Sequence, residues 1–199
     1  MKKKIFIIIC LLFIVFLSGC NKTEEKSQEK TDSDYPLNGI WEGIVNYNDC
    51  VTAFYGEICF LRFGEHIDKL DFFYENGTGE FLSADGEGLD FIVKGNELTI
   101  LVDKNRIELK KETKLKPASS AVSGIWKSTN GWLFTFINDK VFLVNDKGSA
   151  DYAYYLFENN KGSFKSTIWH HDVNFTVDDN KLHAKIVSWY EEDIILVRE

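Results

Sequence analysis

One three-residue phrase occurs twice in this chain, as Gly39-Ile40-Trp41 and as Gly124-Ile125-Trp126, and it constrains the fold more than any other feature. The stretches after each copy match in the same order. Tyr74-Glu75-Asn76-Gly77-Thr78-Gly79-Glu80-Phe81 aligns with Phe157-Glu158-Asn159-Asn160-Lys161-Gly162-Ser163-Phe164. Phe91-Ile92-Val93 then aligns with Phe175-Thr176-Val177, and Asn96-Glu97-Leu98 with Asn180-Lys181-Leu182. Last, Leu109, Lys111 and Glu112 align with Leu196, Arg198 and Glu199. The offset stays between 83 and 87 residues, the mark of one unit duplicated with small changes in loop length. Two β-rich halves could share one such match by chance, but hardly four in order. The chain therefore predicts two related units, residues 37–113 and 122–199, joined by a linker over residues 114–121. Its only prolines, Pro36 and Pro117, stand at the two entrances, as domain boundaries place them.

Each unit reads as a meander of short strands. Apolar and polar residues alternate in Leu70-Asp71-Phe72-Phe73-Tyr74, in Glu97-Leu98-Thr99-Ile100-Leu101-Val102 and in Trp132-Leu133-Phe134-Thr135-Phe136. Turn residues punctuate these runs at Asn76-Gly77, Asp85-Gly86, Gly95-Asn96, Asn130-Gly131, Asn138-Asp139 and Asp178-Asp179-Asn180. Sixteen Phe and 8 Tyr favour strand over helix, and no stretch keeps a helical period. The expected fold is all-β: two tandem antiparallel meander β-barrels of six to eight strands each, closed or nearly so because closure removes sticky edges. The two copies are also expected to differ by insertions. Unit one has a longer link after its Trp strand, with Cys50 and Cys59; unit two has extra sequence from Val141 to Tyr155. Insertions on a repeated frame are where specific function is expected.

Gly-x-Trp on a first strand, a later aromatic-x-x-Asn-Gly-x-Gly turn, a Phe-x-Val strand and a closing Ile-x-Leu strand resemble the lipocalin-like domains of bacterial lipoproteins. The resemblance covers both units and implies that Trp41 and Trp126 plug the closed ends of their barrels. The units have about half a lipocalin's length, and a small barrel is expected to fill its own interior with side chains.

The N-terminus carries an address. Lys2-Lys3-Lys4 precedes an apolar run of 13 residues, Ile5 to Leu17. Spanning a bilayer takes roughly 20 residues, so the run fits the core of a secretory signal peptide over residues 1–19. It ends in Leu17-Ser18-Gly19-Cys20, which closely resembles the bacterial lipobox. That resemblance implies cleavage before Cys20 and a diacylglycerol thioether on its sulfur, a membrane anchor made of acyl chains. Residues 20–36 are rich in Lys, Glu, Ser, Thr, Gln and Asp, a composition expected to stay disordered and serve as a tether. The expected location is the bacterial cell envelope, on the extracytoplasmic side of a membrane, whether outer or plasma.

The formal charge is −8, and −11 once Lys2, Lys3 and Lys4 are removed with the signal. With no basic patch to neutralise phosphates, nucleic acid is not an expected partner. Cys50 and Cys59 lie close enough along a hairpin to bridge, and both a disulfide and two buried thiols fit the sequence. In Trp169-His170-His171-Asp172, adjacent histidines on a strand would face opposite ways, so surface histidines are expected rather than a metal site. The acidic loop Asp85-Gly86-Glu87-Gly88-Leu89-Asp90 lacks EF-hand spacing and reads as a solvated turn. Nucleophile-elbow, zincin, Walker and dinucleotide motifs are missing, so no catalytic residue is assigned, no cofactor is implied, and a non-enzymatic protein is expected. Trp132, Tyr152, Tyr154 and Trp189 are the candidate binding surface: Tyr152 and Tyr154 lie on a strand apolar on both faces, the two Trp near hairpin ends. The expected function is a lipid-anchored envelope protein acting as a binding or scaffolding module for an unknown protein or small-molecule partner. The alternative is a lipocalin-like binder of a small apolar ligand, and behind it a metal-dependent or hydrolytic enzyme around His170, His171 and Asp172.

Overall fold

The computed structural model describes residues 36–45, 47–83, 88–113, 119–187 and 191–199, all within one compact unit, Tyr35–Glu199. The signal peptide, Cys20, the tether up to Tyr35, most of the linker (residues 114–118), residues 85–87 of the acidic loop and Trp189 lie outside the described residues.

The first unit is a meander of β1 (Gly39–Val45), β2 (Asn48–Tyr55), β3 (Ile58–Phe63), β4 (His66–Glu75), β5 (Thr78–Leu82), β6 (Gly88–Lys94), β7 (Glu97–Val102) and β8 (Asn105–Lys111). It closes where β1 pairs with β8 through Trp41–Lys111 and Glu42–Lys110. The second unit is β9 (Gly124–Lys127), β10 (Leu133–Ile137), β11 (Lys140–Val144), β12 (Ala150–Glu158), β13 (Lys161–Lys165), β14 (Asp172–Asp178), β15 (Lys181–Val187) and β16 (Glu191–Arg198). It closes where β16 pairs with β9. Both are closed antiparallel barrels of eight strands in sequence order. Alternation dictates the walls: every second residue of β14 and β15 is buried in the barrel, and those between face water.

The doubled phrase is now explained residue by residue. Gly39 and Gly124 have φ of 126° and 117°, where any side chain would be strained. Ile40 and Ile125 point out of their barrels into a shared cluster. Trp41 and Trp126 are fully buried inside. Their indole N–H groups donate to Leu37 O at 2.9 Å and Val122 O at 2.8 Å. A cation covers each ring, Lys111 on Trp41 and Arg198 on Trp126, which accounts for the match between the two closing strands.

Register also corrects the expected insertions. Trp41 faces Thr52, which faces Leu61; Trp126 faces Phe134, which faces Leu143. Cys50 and Cys59 therefore lie on β2 and β3, which occupy the places of β10 and β11, and Val141–Tyr155 forms β11 and much of β12, the counterparts of β3 and β4. The 11 residues from Trp41 to Thr52, against 8 from Trp126 to Phe134, lengthen a hairpin rather than add a loop. The cysteines are free and buried. Cys59 faces Phe54, four residues along the strand from Cys50. That is about 13 Å of extended chain, beyond the ~7 Å limit for a disulfide. Burial pushes the Cys50 thiol up to about 11 against the pull of Arg62, and holds the Cys59 thiol well above its ordinary value.

The two barrels share a third core. All five residues of β10 and of β11 are buried, one face inside barrel 2 and the other against barrel 1. Val51, Ala53, Ile58, Phe60 and Ile67 meet Leu133, Ile137, Phe142, Val144 and Ala150 there. Phe60 and Phe142 hold equivalent positions and stack on each other at 5.0 Å and 22°. The counterpart strands β4 and β12 touch, as do β2 and β10. Like meeting like is the pattern of a pseudo-twofold interface, the arrangement of a symmetric dimer within one chain.

Candidate functional site

Tight turns, the buried Trp126 and the segment Ser120–Val122 close one end of barrel 2. The other end carries the β9–β10, β11–β12 and β13–β14 connections, beside the end of β15 and the start of β16. Here the sequence departs from the repeat: Trp132 stands where barrel 1 has Cys50, and Asp151 where barrel 1 has the exposed Asp68.

Three of those connections are pinned. Ser128 N donates to Trp132 O at 2.9 Å, and Trp132 N donates to Ser128 Oγ at 2.8 Å. Asn145 Oδ1 accepts from Lys147 N at 3.0 Å and Ser149 N at 2.9 Å, folding the β11–β12 turn on itself. Asp151 is wholly buried; its carboxylate accepts from Ile168 N at 3.0 Å and Trp169 N at 2.8 Å, which ties the β13–β14 loop to β12. Ser166 N donates to His171 O, and His171 N donates to Ser166 Oγ, both at 2.9 Å, closing that loop.

The pinned loops present an aromatic wall. Trp132 and Trp169 meet edge to face at 6.1 Å and 83°, and Trp169 lies 6.0 Å from the His171 ring. Around them Asn145, Asp146, Lys147, Ile186 and Glu192 complete a cleft of about 480 Å³. Beneath it, among Phe134, Leu143, Ser166 and Val173, the space is only about 10 Å³, roughly one water. Side chains fill this part of the barrel interior, so the site is a mouth and not a deep calyx. A second cleft, of about 890 Å³, runs between the barrels over Tyr55, Ile58, Ile125, Leu133 and Val144, with Lys69, Lys127 and Glu199 at its rim.

The aromatic residues singled out from the sequence do not gather at one place. Trp132 packs inward at the mouth. Tyr152 faces outward in the inter-barrel core, under the Arg62 guanidinium, which lies 4.5 Å above its ring and donates to its hydroxyl. Tyr154 is 62% exposed, with the Lys140 ammonium 5.2 Å from its ring. His170 is exposed in the loop at a φ of 59°, His171 is half-buried against Trp169, and Asp172 opens β14 on the outer face. Among the described residues no group of three His, Cys, Asp or Glu is placed to hold a metal. The sequence singled out Trp169 only as the first residue of the Trp169-His170-His171-Asp172 cluster, and gave no role to Glu192 or Asp151. The available signal was Asp151 itself, a carboxylate inside an otherwise apolar run, whose burial demanded donors from somewhere.

Compared with known proteins, the chain matches no protein-family model and no curated sequence. Among the described residues no helix is long and apolar enough to cross a membrane.

Proposed function

We propose that this protein is a non-enzymatic, lipid-anchored binding module of the bacterial cell envelope that engages its partner through the open end of barrel 2. The address lies in Leu17-Ser18-Gly19-Cys20, with Cys20 carrying the lipid and residues 21–36 providing reach from the membrane surface. The outer walls of β14 and β15, with Asp172, Asn174, Thr176, Lys181, His183 and Lys185 facing out, suit water rather than acyl chains. One observation carries the choice of site: three loops at this end are each held by a side-chain hydrogen bond, to Ser128, Asn145 and the buried Asp151, and preorganised surface binds at lower entropic cost.

A photo-crosslinking residue at Lys147 in the full lipidated protein, activated in native envelopes, tests this. Specific adducts are expected, reduced strongly by Trp169→Ala, while a crosslinker at Asp103, on the equivalent end of barrel 1, gives few. Equal capture from both positions would remove the mouth from consideration. Fractionation of Cys20→Ala tests the anchor: the expected outcome is unprocessed or soluble protein, and mature-size material remaining in the membrane fraction counts against it.

A further inference from the structure

The mouth of barrel 2 holds hydrogen-bonding capacity that the protein leaves unused. Trp132 Nε1 and His171 Nδ1 are both shut from solvent without a hydrogen-bond partner, and Trp132 as a whole is only 6% exposed. Both side chains line the small space under the cleft together with Ser166. A buried polar atom without a partner is unfavourable in the free protein, and a ligand that supplies an acceptor, directly or through one water, relieves it.

The rest of the lining narrows the chemistry of that ligand. Among the described residues Ile186 is the one aliphatic side chain in the cleft, beside the two indoles, so a long acyl tail finds little aliphatic wall. Among the described lining residues Asp146 and Glu192 outnumber the one ammonium, Lys147, so an anionic ligand meets net like charge. What remains favourable is a neutral, hydroxyl-rich molecule with one flat apolar face. Trp169, half-buried and braced edge to face by Trp132, offers an indole surface for such a face. A carboxylate can bond two neighbouring hydroxyls, and Asp146 and Glu192 each bring one to the cleft, while Asn145, its Oδ1 taken by the amides of Lys147 and Ser149, keeps its side-chain N–H groups to donate. The cleft, about 480 Å³, falls in the size range of small-ligand sites, about 300–1,000 Å³. Barrel 1 has Cys50 in the place of Trp132, so the feature belongs to one copy only.

Building on the binding reading above, we infer that this mouth is a saccharide site, with Trp169 as the stacking platform and Asp146 and Glu192 as hydroxyl acceptors. The sugar can be a free oligosaccharide or part of an envelope polymer. The full lipidated protein, in a detergent without sugar headgroups, is titrated with chitotetraose and with cellotetraose, followed by calorimetry and tryptophan fluorescence. In parallel it is sedimented with purified insoluble peptidoglycan. Saturable binding to at least one probe is expected, weakened roughly tenfold or more by Trp169→Ala and by Asp146→Asn with Glu192→Gln, and largely kept by Trp169→Phe. Co-sedimentation without oligosaccharide binding assigns the polymer, and the reverse assigns a free sugar. The inference is overturned if none of the three probes binds, or if Trp169→Ala binds as wild type does at an unchanged melting temperature. Crosslinks from Lys147 to a protein, with no sugar bound, would sink the saccharide and keep the binding module; no specific crosslinks and no sugar would sink both.

Discussion

Gly162 has no room for a methyl group. A Cβ there would sit 2.1 Å from Phe175 Cζ, and one on Gly79 would sit 2.2 Å from Phe91 Cζ. In each barrel the Phe ring lies across the glycine and stacks on an aromatic of the preceding strand, Phe157–Phe175 at 5.9 Å and 8°, Tyr74–Phe91 at 6.0 Å and 3°. Gly162→Ala should cost about 1–3 kcal/mol in urea unfolding, the range for overpacking a filled core. Adding Phe175→Leu should recover part of that loss, whereas simple additivity of the two changes would show the ring is not the obstacle. Asp151 makes the opposite case, a polar group that belongs in the interior because its hydrogen bonds are made. Asp151→Ala strands the amides of Ile168 and Trp169, and should destabilise by about 2–4 kcal/mol while shifting tryptophan emission to the red as the mouth loosens.

Between elements, the pseudo-twofold arrangement shows where the copies part. Lys140, 4% exposed, reaches from β11 to Glu42 at 3.0 Å and Glu112 at 3.5 Å in the other barrel's closing strands. At the equivalent place on β3 stands Ile58, and Glu42 is answered by Lys127. One notch is filled by an ammonium chain; the other is the cleft between the barrels. Burial alone would push the Lys140 ammonium down, but the hydrogen bond and charge of Glu42, with Tyr154 and Glu112 nearby, hold it above its ordinary value. Because the folded value is raised, the clamp's contribution is complete below the unfolded value of 10.5 and is lost as pH rises through the higher folded one. Glu42→Gln, which leaves the buried ammonium short of a partner, should therefore cost more than Lys140→Met, by about 1–3 kcal/mol at neutral pH given the partial exposure of Glu42. Urea unfolding above and below pH 10.5 checks the sign: the gap between the two variants should close in alkali.

At the scale of the molecule, the core shared by Phe60 and Phe142 makes the two barrels one cooperative body. Each large apolar side chain buried there is worth about 1.5–3 kcal/mol, and neither barrel could expose that face without losing it. Calorimetry of the full protein should give a single transition. Phe60→Asp should lower it sharply or split it in two, and two independent transitions in the wild type would contradict the shared core. How far the sequence reached follows from the range of each interaction. Period-two alternation, turn residues and a repeated phrase are local, and they were enough for an all-β fold of two tandem meander barrels. The burial of Trp126 was implied by the resemblance that Gly124-Ile125-Trp126 carries, and the carbonyl its indole bonds, Val122 O, lies four residues away. The lengthened hairpin read as an insertion because pairing register is invisible in one dimension. Cys50 and Cys59 read as neighbours because sequence distance along a hairpin does not tell which residues face each other. By itself, then, the sequence determined the strands and the duplication, both carried by contacts between near neighbours. Only the tertiary structure decided which faces the two barrels share, and that Asp151 and Ser166 hold Trp169 against Trp132. Those contacts join residues from separate strands and loops, brought together only when each barrel closes.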